Sequence, residues 1–326
     1  MTDTVFYAEL PWPEVEARIA EGAPVFLPLG ATEQHGRHMA LNVDVVLPTG
    51  VAERVARKVG GLVLPAVAYG NRSQPRTGGG PGFPGTLNLA AHTFALIVRD
   101  IICELHRQKV RKIVTVNGHF ENIGPTIEGI ELALDAIGRD RTDGLVILRI
   151  DHWEMVQPAT LDRIFPEGFP GIELEHASVL ETSMMLALRP DLVDLSRATD
   201  DGPAAFLPYD RFPKPCDEVP PSGVLSMTEG SSAEKGEWLL ADSEAGMIAA
   251  IEREFSRGPR TSRPIISRST PPKCRASPAT PPSCGCRRSP RPKASTSRSS
   301  AFPGTAVPPI APAPATARAR CATSRA

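Results

Sequence analysis

The feature that most constrains this chain is an alternation of short apolar runs with longer stretches of helical periodicity. Val25–Leu29, Gly61–Pro65, Lys112–Val116 and Leu145–Ile150 read as strands. Pro48–Lys58, Ala91–Gln108 and Pro125–Ile137 read as the helices between them. Runs of this length in this order predict βαβ units, hence an α/β fold with a mostly parallel sheet between helical layers. In such a fold, polar residues just past the carboxyl end of a strand are where ligands bind. A further helix is expected over Ala233–Phe255, and a proline-rich, irregular crossing over Asp200–Pro221.

Charge divides the chain. The 66 residues from Thr261 onward carry 12 basic side chains and no acidic one, which leaves 24 basic against 37 acidic residues in Met1–Arg260. The body is therefore strongly acidic and has no basic stripe with stacking groups, which argues against nucleic acid as a partner. The tail, 259–326, is built of proline, serine, alanine and arginine; it lacks the apolar content to offset ordering, and resembles the product of a shifted reading frame. The expected organisation is one catalytic domain over 1–258 followed by that tail. No apolar stretch is long enough to span a bilayer, and the start lacks a basic, apolar leader. Only Cys103 and Cys216 fall in the body, too few for a disulfide framework, so a reducing cytoplasm is the expected compartment.

Three segments carry chemistry. Gly30-Ala31-Thr32-Glu33-Gln34-His35-Gly36, with Asn42-Val43-Asp44 after it, and Asn117-Gly118-His119-Phe120-Glu121-Asn122 each follow an expected strand. Glu33 and His35, like His119 and Glu121, are two residues apart, so an extended stretch points both members of a pair one way. The third segment is Glu173-Leu174-Glu175-His176-Ala177, with Glu181 expected on the same helical face. Imidazoles mixed with carboxylates suit Zn²⁺ or Mn²⁺ better than Ca²⁺. Five such ligands with one shared carboxylate can hold two ions about 3.5–4 Å apart, and Asp44, standing alone with two oxygens, is the candidate bridge. His38, His92 and His106 read as structural. The Asn71–Gly85 loop lacks dinucleotide spacing and reads as a wall or lid of the site.

These motifs, together with Phe83-Pro84-Gly85-Thr86, Gly78-Gly79-Gly80, Pro166-Glu167-Gly168-Phe169, Glu175-His176 and Glu181-Thr182-Ser183, resemble the creatininase family over residues 5–256. The resemblance implies a three-layer αβα sandwich, a hexamer, and a centre of two zinc or manganese ions. It implies Glu33 and His119 on one ion, His35 and Glu121 on the other, and Asp44 on both. His176 matches a proton-shuttling histidine and Trp153 a tryptophan that covers the pocket, with Glu121 and His176 as catalytic residues. The substrate wall departs from the family pattern: Thr77 stands for serine, Phe120 for tyrosine, Ile172 for tryptophan and Glu173 for aspartate. The activity implied is opening of a small cyclic amide, creatinine and water giving creatine. A different lactam, formamide or cyclic keto substrate, or a non-catalytic metal-binding role, are the alternatives.

Overall fold

In the computed structural model, residues 3–77, 82–199, 201–209, 211–212 and 219–256 are described. The Gly78-Gly79-Gly80 motif, Cys216 and the tail from 257 onward lie outside them.

Helix α1 (Trp12–Ala20) leads into strand β1 (Val25–Leu29), helix α2 (Val43–Val59) and the two-residue strand β2 (Leu62–Val63). Helix α3 (Ala91–Arg107), strand β3 (Lys112–Asn117), helix α4 (Ile123–Ile137) and strand β4 (Val146–Asp151) follow. Helices α5 (Pro158–Ile164), α6 (Val179–Leu188) and α7 (Ala233–Phe255) complete the order. The sheet runs β2-β1-β3-β4, and every pairing is parallel. Leu29 is in register with Asn117, and Asn117 with Asp151, so three strands end level with one another.

Side-chain alternation splits the core into two layers. Phe26, Val114, Val116 and Ile150 face a cluster with Val43, Leu47 and Val51 of α2, Met184 and Met185 of α6, and Leu239 and Leu240 of α7. Val25, Leu27, Leu29 and Ile113 face the other way, onto Phe94, Val98 and Ile102 of α3 and Ala133 of α4. This is the expected αβα sandwich. Among the described residues, no helix is long and apolar enough to cross a membrane.

Two boundaries differ from the sequence reading in ways that shape the site. Helix α2 begins at Val43, five residues before the expected start, and so takes Asp44 into its first turn. There the unpaired N–H groups of a helix start favour a carboxylate. Pro48 lies inside the helix, lacks an N–H, and leaves the Asp44 carbonyl without its usual i+4 donor. The third segment is not one helix. Ile172–Leu174 is a 3-10 turn, Ala177 adopts φ 55° and Ser178 is extended, so α6 starts only at Val179.

Candidate metal centre

The level ends of β1, β3 and β4 bring the loops after Leu29, Asn117 and Asp151 together, with α2 and the start of α6 across from them. Close approach needs glycine at two positions. A Cβ on Gly118 would sit 2.5 Å from the Asp44 carbonyl oxygen and 2.6 Å from the Pro48 ring, and one on Gly30 would press on the same carbonyl. Asn122, buried, ties the loops: its Nδ2 donates to Gly30 O at 3.1 Å and its Oδ1 accepts from Asn71 N at 2.8 Å.

Asp44 lies at the centre. Its Oδ1 is 3.0 Å from His35 Nε2, and its Oδ2 is 3.0 Å from His119 Nδ1. His119 Nδ1 is also 3.1 Å from Glu33 Oε2, and His35 Nε2 is 3.6 Å from Glu181 Oε2. The donors thus form three overlapping groups, Glu33/Asp44/His119, His35/Asp44/Glu181 and Glu33/His35/His176, and Asp44 belongs to the first two. Glu33, His35, His119 and Asp44 are all buried.

Each histidine turns one nitrogen outward to a backbone acceptor. His119 Nε2 meets Asn71 O at 2.9 Å, and His35 Nδ1 meets Glu33 O at 3.1 Å. With those nitrogens carrying the protons, His119 Nδ1 and His35 Nε2 are lone pairs aimed into the cluster, the arrangement found in metal-ligating histidines. Buried atoms left without hydrogen bonds make the same point: His35 Nε2, Asp44 Oδ2 and Glu121 Oε2 have no partner. His35 Nε2 is near Asp44 yet not aligned for a hydrogen bond. His35 Nε2 and Asp44 Oδ2 belong to one buried donor group, and polar atoms left unpaired there are costly unless a cation joins them. The residues present fit a pair of divalent ions.

Without a cation the electrostatics are tense. Burial opposes charge on His35, but Asp44 and Glu181 outweigh it and push its pKa up to about 10. His119 is raised well above its ordinary value, since Glu121 and Glu33 overcome its burial. Burial holds Glu181 up at about 7 and Glu175 at about 8, and it pushes His152 down to about 4.

The remaining expected residues fall into place with some changes. Glu121 stands beside His119, with Oε2 3.4 Å from Nε2, rather than beside His35; Glu181 takes that place. The Phe120–Asn122 3-10 turn, which replaces the expected extended stretch, accounts for this. Glu121 Oε1 accepts from Gln74 N at 2.5 Å and from Thr77 Oγ1, so the Thr77 hydroxyl is committed to Glu121. Phe120 and Trp153 stack with ring centroids 6.3 Å apart and, with Thr77, Ile172, Glu173 and His176, line a pocket whose floor includes Glu33 and Asp44.

Glu175 and Glu181 both serve the start of α6. Glu175 Oε2 accepts from Leu180 N at 2.9 Å, and Glu181 Oε2 from Ala177 N at 2.6 Å. No hydrogen bond joins Glu175 to the His176 ring; Gln34 Nε2 is 2.9 Å from that ring's Nε2. Sequence reasoning left Glu181 outside the ligand set and gave Gln34 no role. Position within Glu-His-x-x-x-x-Glu was the only signal for the first, and adjacency to Glu33 and His35 for the second. His38 Nε2 meets Thr182 Oγ1 at 2.9 Å, His92 is exposed, and His106 lies in the last turn of α3, away from the cluster.

Known proteins resemble this chain in both sequence and fold. The chain is 47% identical to a creatinine amidohydrolase of Pseudomonas putida over 257 residues, covering 78% of this chain and 99% of that protein. Among solved structures, a creatininase described by its manganese matches with a TM-score of 0.75 at 46% identity, covering 77% of this chain and 99% of that one. A mutant creatininase of Zn-Zn type matches with a TM-score of 0.76 at 45% identity, covering 78% and 99%. The family model for creatininase, creatinine amidohydrolase, matches residues 8–251, and this chain belongs to the creatininase family.

Proposed function

We propose that this chain hydrolyses the lactam C–N bond of creatinine, with water, to give creatine. The observation that carries the proposal is the pair of histidine–carboxylate groups sharing Asp44 at the floor of an aromatic-walled pocket. Glu33, Asp44 and His119 would hold one divalent ion, and His35, Asp44 and Glu181 the other, with Glu121 beside the first. Zinc and manganese both accept this mixture of nitrogen and oxygen donors. Such a pair, when bound, lowers the pKa of water and polarises a carbonyl oxygen.

The chain's own residues supply the rest. Phe120 and Trp153 form a slot for a flat ring. A water oxygen adds to the lactam carbonyl carbon, the C–N bond breaks, and the departing nitrogen gains a proton. Glu121 and His176 are the catalytic residues of this reading, and proton transfer is assigned to Glu121. The Glu121 carboxylate, oriented by Gln74 and Thr77, takes the proton of the attacking water and returns it to the departing nitrogen. His176 faces the substrate from the other loop. A cytoplasmic homo-oligomer, hexameric by resemblance, is part of the same reading.

The test is creatinine consumption by the full chain, reconstituted separately with zinc and manganese, with His35→Ala as control. Metal-dependent turnover that the control lacks supports the proposal. Two bound ions per chain without turnover would remove creatinine and move the search to other lactams, formamides and cyclic ketones.

A further inference from the structure

Gln34 sits between two residues of the metal cluster, yet its side chain turns away from it. Its Nε2 donates to Gly223 O at 3.0 Å, and its Oε1 accepts from Gly36 N at 2.9 Å. These two backbone groups fix which end of the amide is nitrogen. Exchanging the ends would set oxygen against the Gly223 carbonyl and N–H against the Gly36 N–H. The amide lies close against Gly223, where an added Cβ would collide with it.

The second N–H of that locked amide points at His176 Nε2, 2.9 Å away. A nitrogen that receives an N–H donor cannot itself carry a proton. The His176 backbone is pinned as well: its carbonyl accepts from Leu225 N and from Ser178 Oγ, each at 3.1 Å. The segment that holds the ring through Gln34 therefore also holds its main chain.

We propose that Gln34 is a positioning residue that locks His176 in the neutral tautomer protonated at Nδ1. The ring is then a fixed, neutral neighbour of the cluster, and carriage of the transferred proton falls to Glu121. Taking up a second proton at Nε2 would set it against the Gln34 N–H. This rests on the hydrolase reading for its role in turnover, though the tautomer itself does not.

The test is a two-bond ¹⁵N–¹H NMR spectrum of the zinc-loaded full chain labelled at histidine, with His176→Gln used to assign the signals. Wild type is expected to show His176 protonated at Nδ1 with a lone pair at Nε2. Gln34→Glu keeps the size but replaces donor by acceptor, so Nε2 becomes protonated. Gln34→Met removes the donor and gives a mixture of tautomers. Both variants are expected to keep two zinc ions per chain, and to lose about 10–100-fold in kcat with KM little changed. A wild-type signal protonated at Nε2 overturns the inference, and that spectrum needs no variant to fold. So does a wild-type pattern and kcat surviving in both variants. The Nδ1–H pattern in a chain that opens no creatinine would remove the substrate reading and leave the tautomer standing.

Discussion

His35 Nε2 stands 3.0 Å from Asp44 Oδ1 without hydrogen-bond alignment, while its other nitrogen is held by the Glu33 carbonyl at 3.1 Å. On the far side of the same carboxylate, His119 Nδ1 stands at 3.0 Å from Oδ2. One aspartate thus faces two imidazole nitrogens from opposite oxygens.

Asp44→Asn halves that bridge. The amide keeps the shape but offers one neutral oxygen in place of two anionic ones. Metal content measured by atomic absorption is expected to fall to one ion per chain or fewer. Turnover is expected to fall by about 10³-fold or more, matching the loss of several kcal/mol of charge stabilisation. Two tightly held ions in the variant would contradict the bridge.

Gly118→Ala tests the close approach of β3 to α2. The new methyl meets the Asp44 carbonyl and the Pro48 ring, neither of which can rotate aside. A loss of about 1–3 kcal/mol in urea unfolding is expected from overpacking, with weakened metal retention. Unchanged stability would mean the loops can separate without cost.

Metal loading should release protons. In the metal-free protein Asp44 and Glu181 push His35 up to about 10, which keeps it protonated at pH 7.5, and Glu121 and Glu33 raise His119 in the same direction. Ligating nitrogens must give those protons up. Calorimetry in buffers of differing ionisation enthalpy should show at least about one proton released per chain, with affinity rising as pH rises towards 10. The linkage sign for stability follows. His35 has a folded pKa of about 10, above the unfolded 6.5, so its contribution is complete below 6.5 and is lost as pH rises through about 10, and His119, raised in the same direction, contributes with the same sign. The urea midpoint of the metal-free protein should fall across that window.

Glu175→Gln should flatten part of the same slope. Burial holds Glu175 at about 8 against its ordinary 4.5, so ionising it penalises the fold increasingly between those values and fully above 8. Glutamine can still accept from Leu180 N, and it cannot ionise. The metal-free variant is expected to match wild type near pH 4 and to exceed it in urea midpoint at pH 9. A variant less stable at both pH values would make the carboxylate's hydrogen bonding more important than its burial.

Much of this was legible in the chain. Val25–Leu29 and Ala233–Phe255 have the expected bounds, because an apolar run closed by Gly30 and a helical stripe opened by Ser232 are local signals. Ser232 Oγ accepts from Lys235 N as a helix cap should. Glu33, His35, Asp44 and His119 were readable as donors because their side-chain chemistry and their places near strand ends are written in order. The early start of α2 was hidden by Pro48, which reads as a helix opener but sits inside this one.

The sequence by itself determined the elements, the layers and most of the candidate donor side chains, since these follow from periodicity and from the chemistry of each residue. Only the tertiary structure decided the pairings: Glu181 rather than Glu121 with His35, Thr77 on Glu121, and Gln34 on the His176 ring. Those are direct contacts between segments up to 146 residues apart, and chain connectivity does not encode a distance across loops. Packing sets it, through Gly30, Gly118 and Gly223 where backbone must pass close to backbone or to the Gln34 amide, and through the left-handed turn at Ala177 that delays α6 and swings Glu181 into the cluster.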